Sequence, residues 1–149
     1  MRESIIKEEN FEKSRKEIRK NKGKVIFSSN NDETNRKVLE KEKIEILLLN
    51  QSNRKDFQKQ RNSGFNQVLA KLVKKNNIII GINLDEIIES NQKEKSRILA
   101  RIRQNIKLCN KNKLKLMFIA QKAENNRNIY DLKSLGLILG MSTKMTKLF

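Results

Sequence analysis

The side chains with the most chemical potential in this sequence are its lysines and arginines. The 149 residues include 34 Lys and Arg against 17 Asp and Glu, a formal charge of +17. Such a charge attracts polyanions, above all nucleic acid, because Lys and Arg displace condensed counterions from phosphates. The alternative is a genomic bias toward lysine codons, against which the ten arginines argue.

The residue types that are absent or rare exclude most catalytic and metal sites. The sequence has no histidine and a single cysteine, Cys109. Histidine-based triads, His-containing zinc sites and internal disulfides are therefore excluded. The four aspartates stand apart from one another and form no obvious catalytic pair. We expect no catalytic residue, no metal site and no cofactor bound by the protein. The alternative is an enzyme with a carboxylate-only metal site.

The cations concentrate in two segments. Residues 51–77 hold seven Lys and Arg with one Asp, and residues 93–117 hold nine with one Glu. A surface that is merely solvated mixes the two signs more evenly. The candidate contacts to nucleic acid are Arg36, Arg54, Lys55, Arg61, Lys71, Arg97, Arg101, Arg103, Lys107, Lys111 and Arg127.

Several of these candidates also have a structural interpretation. Arg97 and Arg101 are four residues apart and should lie side by side on one helix. Arg127 could bind a phosphate, or could instead pair with Asp131. Arg36 could equally be neutralised by a nearby glutamate, and the charged helix face could be solvated without any ligand.

The elements that position these cations alternate between helices and strands. Helices are expected over residues 2–22, Thr34–Lys43, Phe65–Asn76, Lys93–Asn112 and Asp131–Leu139, with short turns at Asp85–Ser90 and Ser142–Phe149. Strands are expected over Lys24–Ser28, Ile44–Leu49, Ile78–Leu84 and Leu114–Ala120, and a basic loop over Gln51–Gly64. The alternation predicts a single α/β domain with parallel strands and right-handed crossovers. Glycines should kink the chain at Gly64 and end the helix at Gly140.

The hydrophobic residues indicate a core rather than a membrane or base-stacking surface. No stretch approaches the ~20 apolar residues of a membrane span, and no signal peptide is evident. We therefore expect a cytoplasmic protein. Phe27, Phe65 and Phe118 lie in apolar runs and are expected in the core. Binding directed to shape and phosphate is favoured over base stacking.

Three segments together resemble the family of archaeal ribonuclease P protein component 3, which is homologous to the barrel subunit of the eukaryotic nuclear enzyme. Asn35-Arg36-Lys37-Val38-Leu39-Glu40, followed by Ile44–Leu49, looks like N-R-x-A-x-E before V-D-V-L. Arg61 to Ala70 resembles D-S-G-x-D/N-x-V-L-A. Arg127 to Leu132 and Leu135 to Met141 look like R-x-P-x-D-L followed by L-G-x-x-L-G-M.

The resemblance implies a TIM-like α/β fold and a non-catalytic role in ribonuclease P. Family members bind the catalytic RNA, pair with a small ferredoxin-like subunit (component 2) and support removal of the 5′ leader from precursor tRNA. RNA with bound Mg²⁺ performs the hydrolysis. The alternative is a general basic RNA-binding or ribosome-associated module without a processing role.

The sequence departs from the family at identifiable places. The matching segments begin near residue 24, so the family's opening strand–helix–strand region is expected to be missing and the chain to be N-terminally shortened. The resulting fold is a truncated or open TIM-like barrel of about four parallel strands, with edges that a partner subunit could cover. Ile129 replaces the usual proline, and Ala120-Gln121-Lys122 replaces a serine-rich strand end.

Overall fold

The computed structural model describes residues 3–149, which form a parallel α/β domain. Its strands are β1 (Glu3–Lys7), β2 (Lys24–Ser28), β3 (Ile46–Leu49), β4 (Ile79–Asn83) and β5 (Leu116–Ile119). Its α-helices are α1 (Phe11–Lys20), α2 (Asp32–Lys41), α3 (Gln67–Lys75), α4 (Leu84–Glu89), α5 (Gln92–Asn112), α6 (Ile129–Leu139) and α7 (Thr143–Thr146), with a 3₁₀ turn at Ala123–Asn125.

The five strands make one open sheet in the order β1-β2-β3-β4-β5, with every neighbouring pair parallel. Right-handed crossovers between sequential neighbours place the connecting helices on the same side of the sheet. We call this side the helical face and the other the open face. Successive residues of each strand point to opposite faces of the sheet. Phe27 and Leu47 belong to the large core under the helices, whereas Ile26, Ile46 and Leu48 form a separate small cluster on the open face. This is the geometry of an incomplete TIM-like barrel.

The expected helix over residues 2–22 is wrong for residues 3–7, which form an additional strand at the sheet edge. Ile5 is in register with Ile26 on β2, and Ile6 is 6% exposed beneath the helices. The helix begins only after Asn10, whose side-chain oxygen accepts from the backbone N–H of Lys13 at 3.2 Å. The adjacent Ile5 and Ile6 are compatible with both helical and strand periodicity. Pairing with β2 makes this segment a strand. The sheet thus has five strands rather than about four.

The remaining elements are confirmed, with boundaries shifted by one to two residues at most ends. The helix predicted to begin at Asp131 begins two residues earlier, at Ile129, and is capped by Asn128 through the N–H of Tyr130 at 2.8 Å. The last helix, predicted to run to Phe149, ends at Thr146. Gly64 and Gly140 both have positive φ, 71° and 108°, as the predicted kink and helix end require. The three phenylalanines expected in the core are all buried. Within residues 3–149, no helix combines the length and apolar character needed to cross a membrane.

The open face tolerates no side chain at Gly81 in the middle of β4. A Cβ atom there would lie 2.9 Å from Cδ1 of Ile119 and 3.1 Å from Cγ2 of Ile46. Gly81→Val should therefore lower the free energy of unfolding by about 1–3 kcal/mol through overpacking. Urea denaturation measures this change.

A second variant separates overpacking from a general loss of strand stability. Ile119→Val removes the Cδ1 atom that a new side chain would meet first. The cost of Gly81→Val should therefore be smaller in the Ile119→Val background. An equal cost in both backgrounds would contradict the proposed clash.

Candidate nucleic-acid interface

The basic loop between β3 and α3 is held down by one buried arginine from α5. Arg101 is 1% exposed, and its guanidinium donates to the carbonyl oxygens of Gln51 at 2.7 Å and Arg54 at 2.8 Å. Its Nε donates to the carboxylate of Asp56 at 3.0 Å. Every guanidinium nitrogen of Arg101 thus has an acceptor in the loop, and these hydrogen bonds offset the free-energy cost of burying the charge.

A second arginine ties the same loop to α2. Both terminal nitrogens of Arg54 lie 2.9 Å from the two carboxylate oxygens of Asp32, and its Nε donates to the carbonyl of Asn50 at 2.6 Å. The Arg54 side chain is only 9% exposed. A Cβ atom at position 64 would lie 2.5 Å from the Arg54 guanidinium, so glycine is required there. The loop therefore packs directly on this ion pair.

Arg101 is buried in the structure and is therefore not available for the predicted nucleic-acid contacts. The guanidinium of Arg54 is occupied by its bonds to Asp32 and Asn50. The expected side-by-side pair of Arg97 and Arg101 is divided, because Arg97 is exposed and Arg101 is buried. On an α-helix with ~100° between residues, Arg101 lies at the edge of the apolar arc. The loop covers that edge, and it buries Asn105 as well. Helical periodicity alone assigns Arg101 to the basic face because it carries no information about the loop.

Four of the other predicted residues are exposed but have local partners. Arg36 pairs with Glu40 at 2.9 Å, Arg61 with Asp56 at 3.5 Å and Arg97 with Glu94 at 3.9 Å. Arg127 donates to the backbone carbonyls of Glu124 and Asn126 rather than to Asp131. Exposed pairs of this kind are weak, so a phosphate can compete for these side chains.

The five remaining candidates are exposed cations that pair with no carboxylate of residues 3–149. They are Lys55, Lys71, Arg103, Lys107 and Lys111. Lys107 and Lys111 are four residues apart and lie side by side on α5. These two lysines, with Arg61 and Arg36, line a groove of about 850 Å³ between α2, the basic loop, α3 and α5.

The groove also contains an aromatic residue that sequence reasoning missed. Phe57 is 58% exposed, and it lines the groove with Val68, which is 55% exposed. A turn holds its backbone, with the N–H of Phe57 donating to the carbonyl of Gln60 at 3.0 Å. A signal was present, since Phe57 is the only aromatic residue in the polar segment 51–64 and has no apolar neighbour in sequence.

The carboxyl ends of the strands, where TIM-like folds usually place their chemistry, carry mainly amides. Asn83 donates to Asn50 at 3.0 Å, and Asn50 donates to the hydroxyl of Ser28 at 2.9 Å. The acids at this edge hold loops: Glu86 accepts the N–H of Gln51 at 2.7 Å, and Asp85 accepts that of Gln121 at 2.9 Å.

Neither metal-ligand geometry nor a reactive thiol is found in the described chain. Within residues 3–149, no three His, Cys, Asp or Glu side chains lie close enough together to hold a metal ion. Cys109 is 0% exposed, and its burial raises the pKa of the thiol to about 12. A thiol with that pKa stays protonated at neutral pH and is a poor nucleophile.

The fold and the surface together define an open TIM-like α/β protein with a cationic groove on its helical side. Comparison with known proteins refines this class. A family described as RNase P subunit p30 matches residues 5–148. The chain belongs to this family. The match begins within β1, upstream of residue 24, where the sequence motifs that resemble the family begin.

Individual relatives agree with the family match. Ribonuclease P protein component 3 of Methanothermobacter thermautotrophicus is 27% identical over 125 residues, covering 84% of this chain and 47% of that protein. The protein of the same name from Methanosarcina mazei is 31% identical over 110 residues, covering 74% of this chain and 41% of that one. The chain spans about half the length of the curated relatives it matches.

A solved structure has the same fold. A chain in a cryo-EM structure of archaeal ribonuclease P with mature tRNA superposes with a TM-score of 0.81 at 25% identity. The superposition covers 98% of this chain and 63% of that chain.

The two neighbouring arginines of α5 should differ sharply in their effect on stability. Arg101→Ala removes a buried guanidinium and leaves the carbonyls of Gln51 and Arg54 without their donor, so the free energy of unfolding should fall by about 3–5 kcal/mol. Arg97→Ala alters an exposed side chain and should change it by no more than about 0.5 kcal/mol. Urea denaturation of both variants tests the assignment, and equal effects would contradict it.

Stability in acid should depend on Asp56. The hydrogen bond from Arg101, assisted by the N–H of Asn62, lowers the pKa of Asp56 below its ordinary value of 3.8. A carboxyl whose pKa is lowered by folding stabilises the protein above its unfolded pKa, and this contribution is lost as pH falls through the folded pKa.

Asp56→Asn tests this dependence. The difference in unfolding free energy between the wild type and Asp56→Asn should be constant near neutral pH and should shrink below about pH 4. Denaturation across a pH series measures it. Parallel pH profiles for the two proteins would show that Asp56 has no lowered pKa.

Proposed function

We propose that the chain is a non-catalytic protein subunit of ribonuclease P that binds the catalytic RNA and supports removal of the 5′ leader from precursor tRNA. The family match over residues 5–148 carries the proposal. The exposed cations Lys55, Lys71, Lys107 and Lys111 supply phosphate-binding groups of the kind that RNA requires.

The chemistry in this proposal belongs to the RNA and its bound Mg²⁺. The protein's own carboxylates support this division, because Asp85 and Glu86 are engaged in loop anchoring at the strand ends. Asp85 and the neighbouring Glu89 both accept from the side-chain amide of Asn125, and Glu89 also pairs with Lys122 at 2.6 Å, so these carboxylates serve structural contacts. The isolated chain should therefore be inactive on precursor tRNA.

The proposed partners are the ribonuclease P RNA, precursor tRNA indirectly, and the small ferredoxin-like component 2, in a cytoplasmic complex. The sheet offers one reason for a protein partner. Strand β1 lies at an edge, and its Ile5 is 39% exposed. Exposed strand edges are commonly covered by another chain.

Reconstitution tests the proposal. The RNA, component 2 and this chain should together cleave precursor tRNA faster, or at lower Mg²⁺, than the same mixture without the chain. Cleavage is measured by release of the 5′ leader. Lys107→Ala/Lys111→Ala is the matched variant, because both lysines are exposed on α5, and it should reduce the effect while the chain remains folded.

Three results would redirect the proposal. Unchanged cleavage on adding the folded chain would contradict a processing role. RNA binding without such an effect would favour a general basic RNA-binding or ribosome-associated module. Mg²⁺-dependent cleavage by the chain alone would show that it is itself an enzyme.

A further inference from the structure

The groove between α2, the basic loop, α3 and α5 combines two chemistries that phosphate binding alone does not require. Its walls carry the cations Arg36, Arg61, Lys107 and Lys111, and its interior exposes Phe57 and Val68. A surface that only follows a phosphate backbone has no use for exposed apolar side chains, which cost free energy in water.

The volume of the groove matches a ligand larger than a phosphate. About 850 Å³ lies in the range of sites that bind small organic molecules. An unpaired nucleotide and its adjoining phosphates fit within this volume, and a nucleotide has both an aromatic base and a charged phosphate. Base stacking on an aromatic side chain is tolerant of sequence because each base has a π-face.

The position of the cations suits a strand that crosses the groove. Lys107 and Lys111 lie on one side, on α5, and pair with no carboxylate of the described chain. Arg61 lies on the loop, next to the turn that holds Phe57, with only a long 3.5 Å contact to Asp56. The two acids of the lining, Asp32 and Glu33, each have a cationic partner, Arg54 and Lys37.

We infer that this groove takes an unpaired nucleotide of RNA, with its base against Phe57 and its adjoining phosphates on Arg61, Lys107 and Lys111. The inference rests on the proposed RNA-binding function and adds to it a preference for single-stranded over duplex RNA. A protein segment is the less favoured occupant, because the unpaired charges of the groove are all positive.

The loop makes the base platform rigid. Arg101 and Arg54 hold the loop from beneath through its carbonyls and through Asp56 and Asp32. Phe57 follows Asp56 directly and so is presented by a backbone that is already ordered. Binding then costs little loop entropy.

The test uses the full chain and an RNA oligonucleotide of about 12 nucleotides with a central 2-aminopurine, as a single strand and as a duplex. The single strand should bind more tightly, and its 2-aminopurine fluorescence should be quenched on binding. Phe57→Ala should weaken single-strand binding by about 5–100-fold and abolish the quenching, without changing the slope of log affinity against log salt.

Two further variants separate the base contact from the phosphate contacts. Lys107→Ala/Lys111→Ala should lower the salt slope by roughly 0.7 for each lost contact on a single strand. Tyr130→Ala is the matched aromatic control, since Tyr130 is 73% exposed on α6 and does not line the groove. It should bind as the wild type does. Thermal unfolding should be the same for Phe57→Ala and Tyr130→Ala, because both side chains are exposed.

The outcomes distinguish this inference from the proposed function. Equal affinity of the wild type for single strand and duplex, or an unchanged affinity of Phe57→Ala, would overturn the nucleotide site while leaving RNA binding intact. Loss of component 2 binding in Phe57→Ala with unaltered RNA affinity would identify a protein-docking groove and also overturn it. Absence of RNA binding by the wild type would contradict the proposed function itself.

Discussion

The contact between the Arg101 guanidinium and the loop after β3 determines the shape of the candidate nucleic-acid interface. This loop has seventeen residues, 50–66, between strand and helix, and segments of that length without regular structure are usually mobile or functional. One side chain from α5 satisfies two of its carbonyls and a carboxylate. An unpaired charge in this position would be very costly, so the loop and the helix can only fold together. The wall of the groove is a consequence of that pairing.

Burial divides the positive charge of the protein into two classes with different roles. Arg101 and Arg54 lie inside, where low exposure strengthens their hydrogen bonds to acidic and carbonyl partners. The lysines of α5 and α3 remain outside, where a mobile, strongly hydrated ammonium suits phosphate contacts. Arginine's planar fork explains why it, rather than lysine, occupies the buried positions. Formal charge therefore overstates the number of cations available to a ligand.

The groove lies on the helical side of the sheet, and the loop that lines it starts at the carboxyl ends of the strands, directly after β3. Those ends, the usual location of TIM-like chemistry, hold an amide network around Asn50 and Asn83 and acids that anchor loops. Function on this fold lies in side chains added to its exterior.

The sequence by itself determined the alternation of strands and helices, the parallel class, the core phenylalanines and the absence of histidine chemistry. Hydrophobic period and composition are local properties, and they suffice for these features. The strand β1, the burial of Arg101 and the exposure of Phe57 were decided only by the tertiary structure. Each depends on a segment distant in the chain: β2 for the first, the loop for the second, and the lack of any packing element over residue 57 for the third. Such long-range contacts do not alter the hydrophobic periodicity of the local sequence, so that periodicity does not predict them.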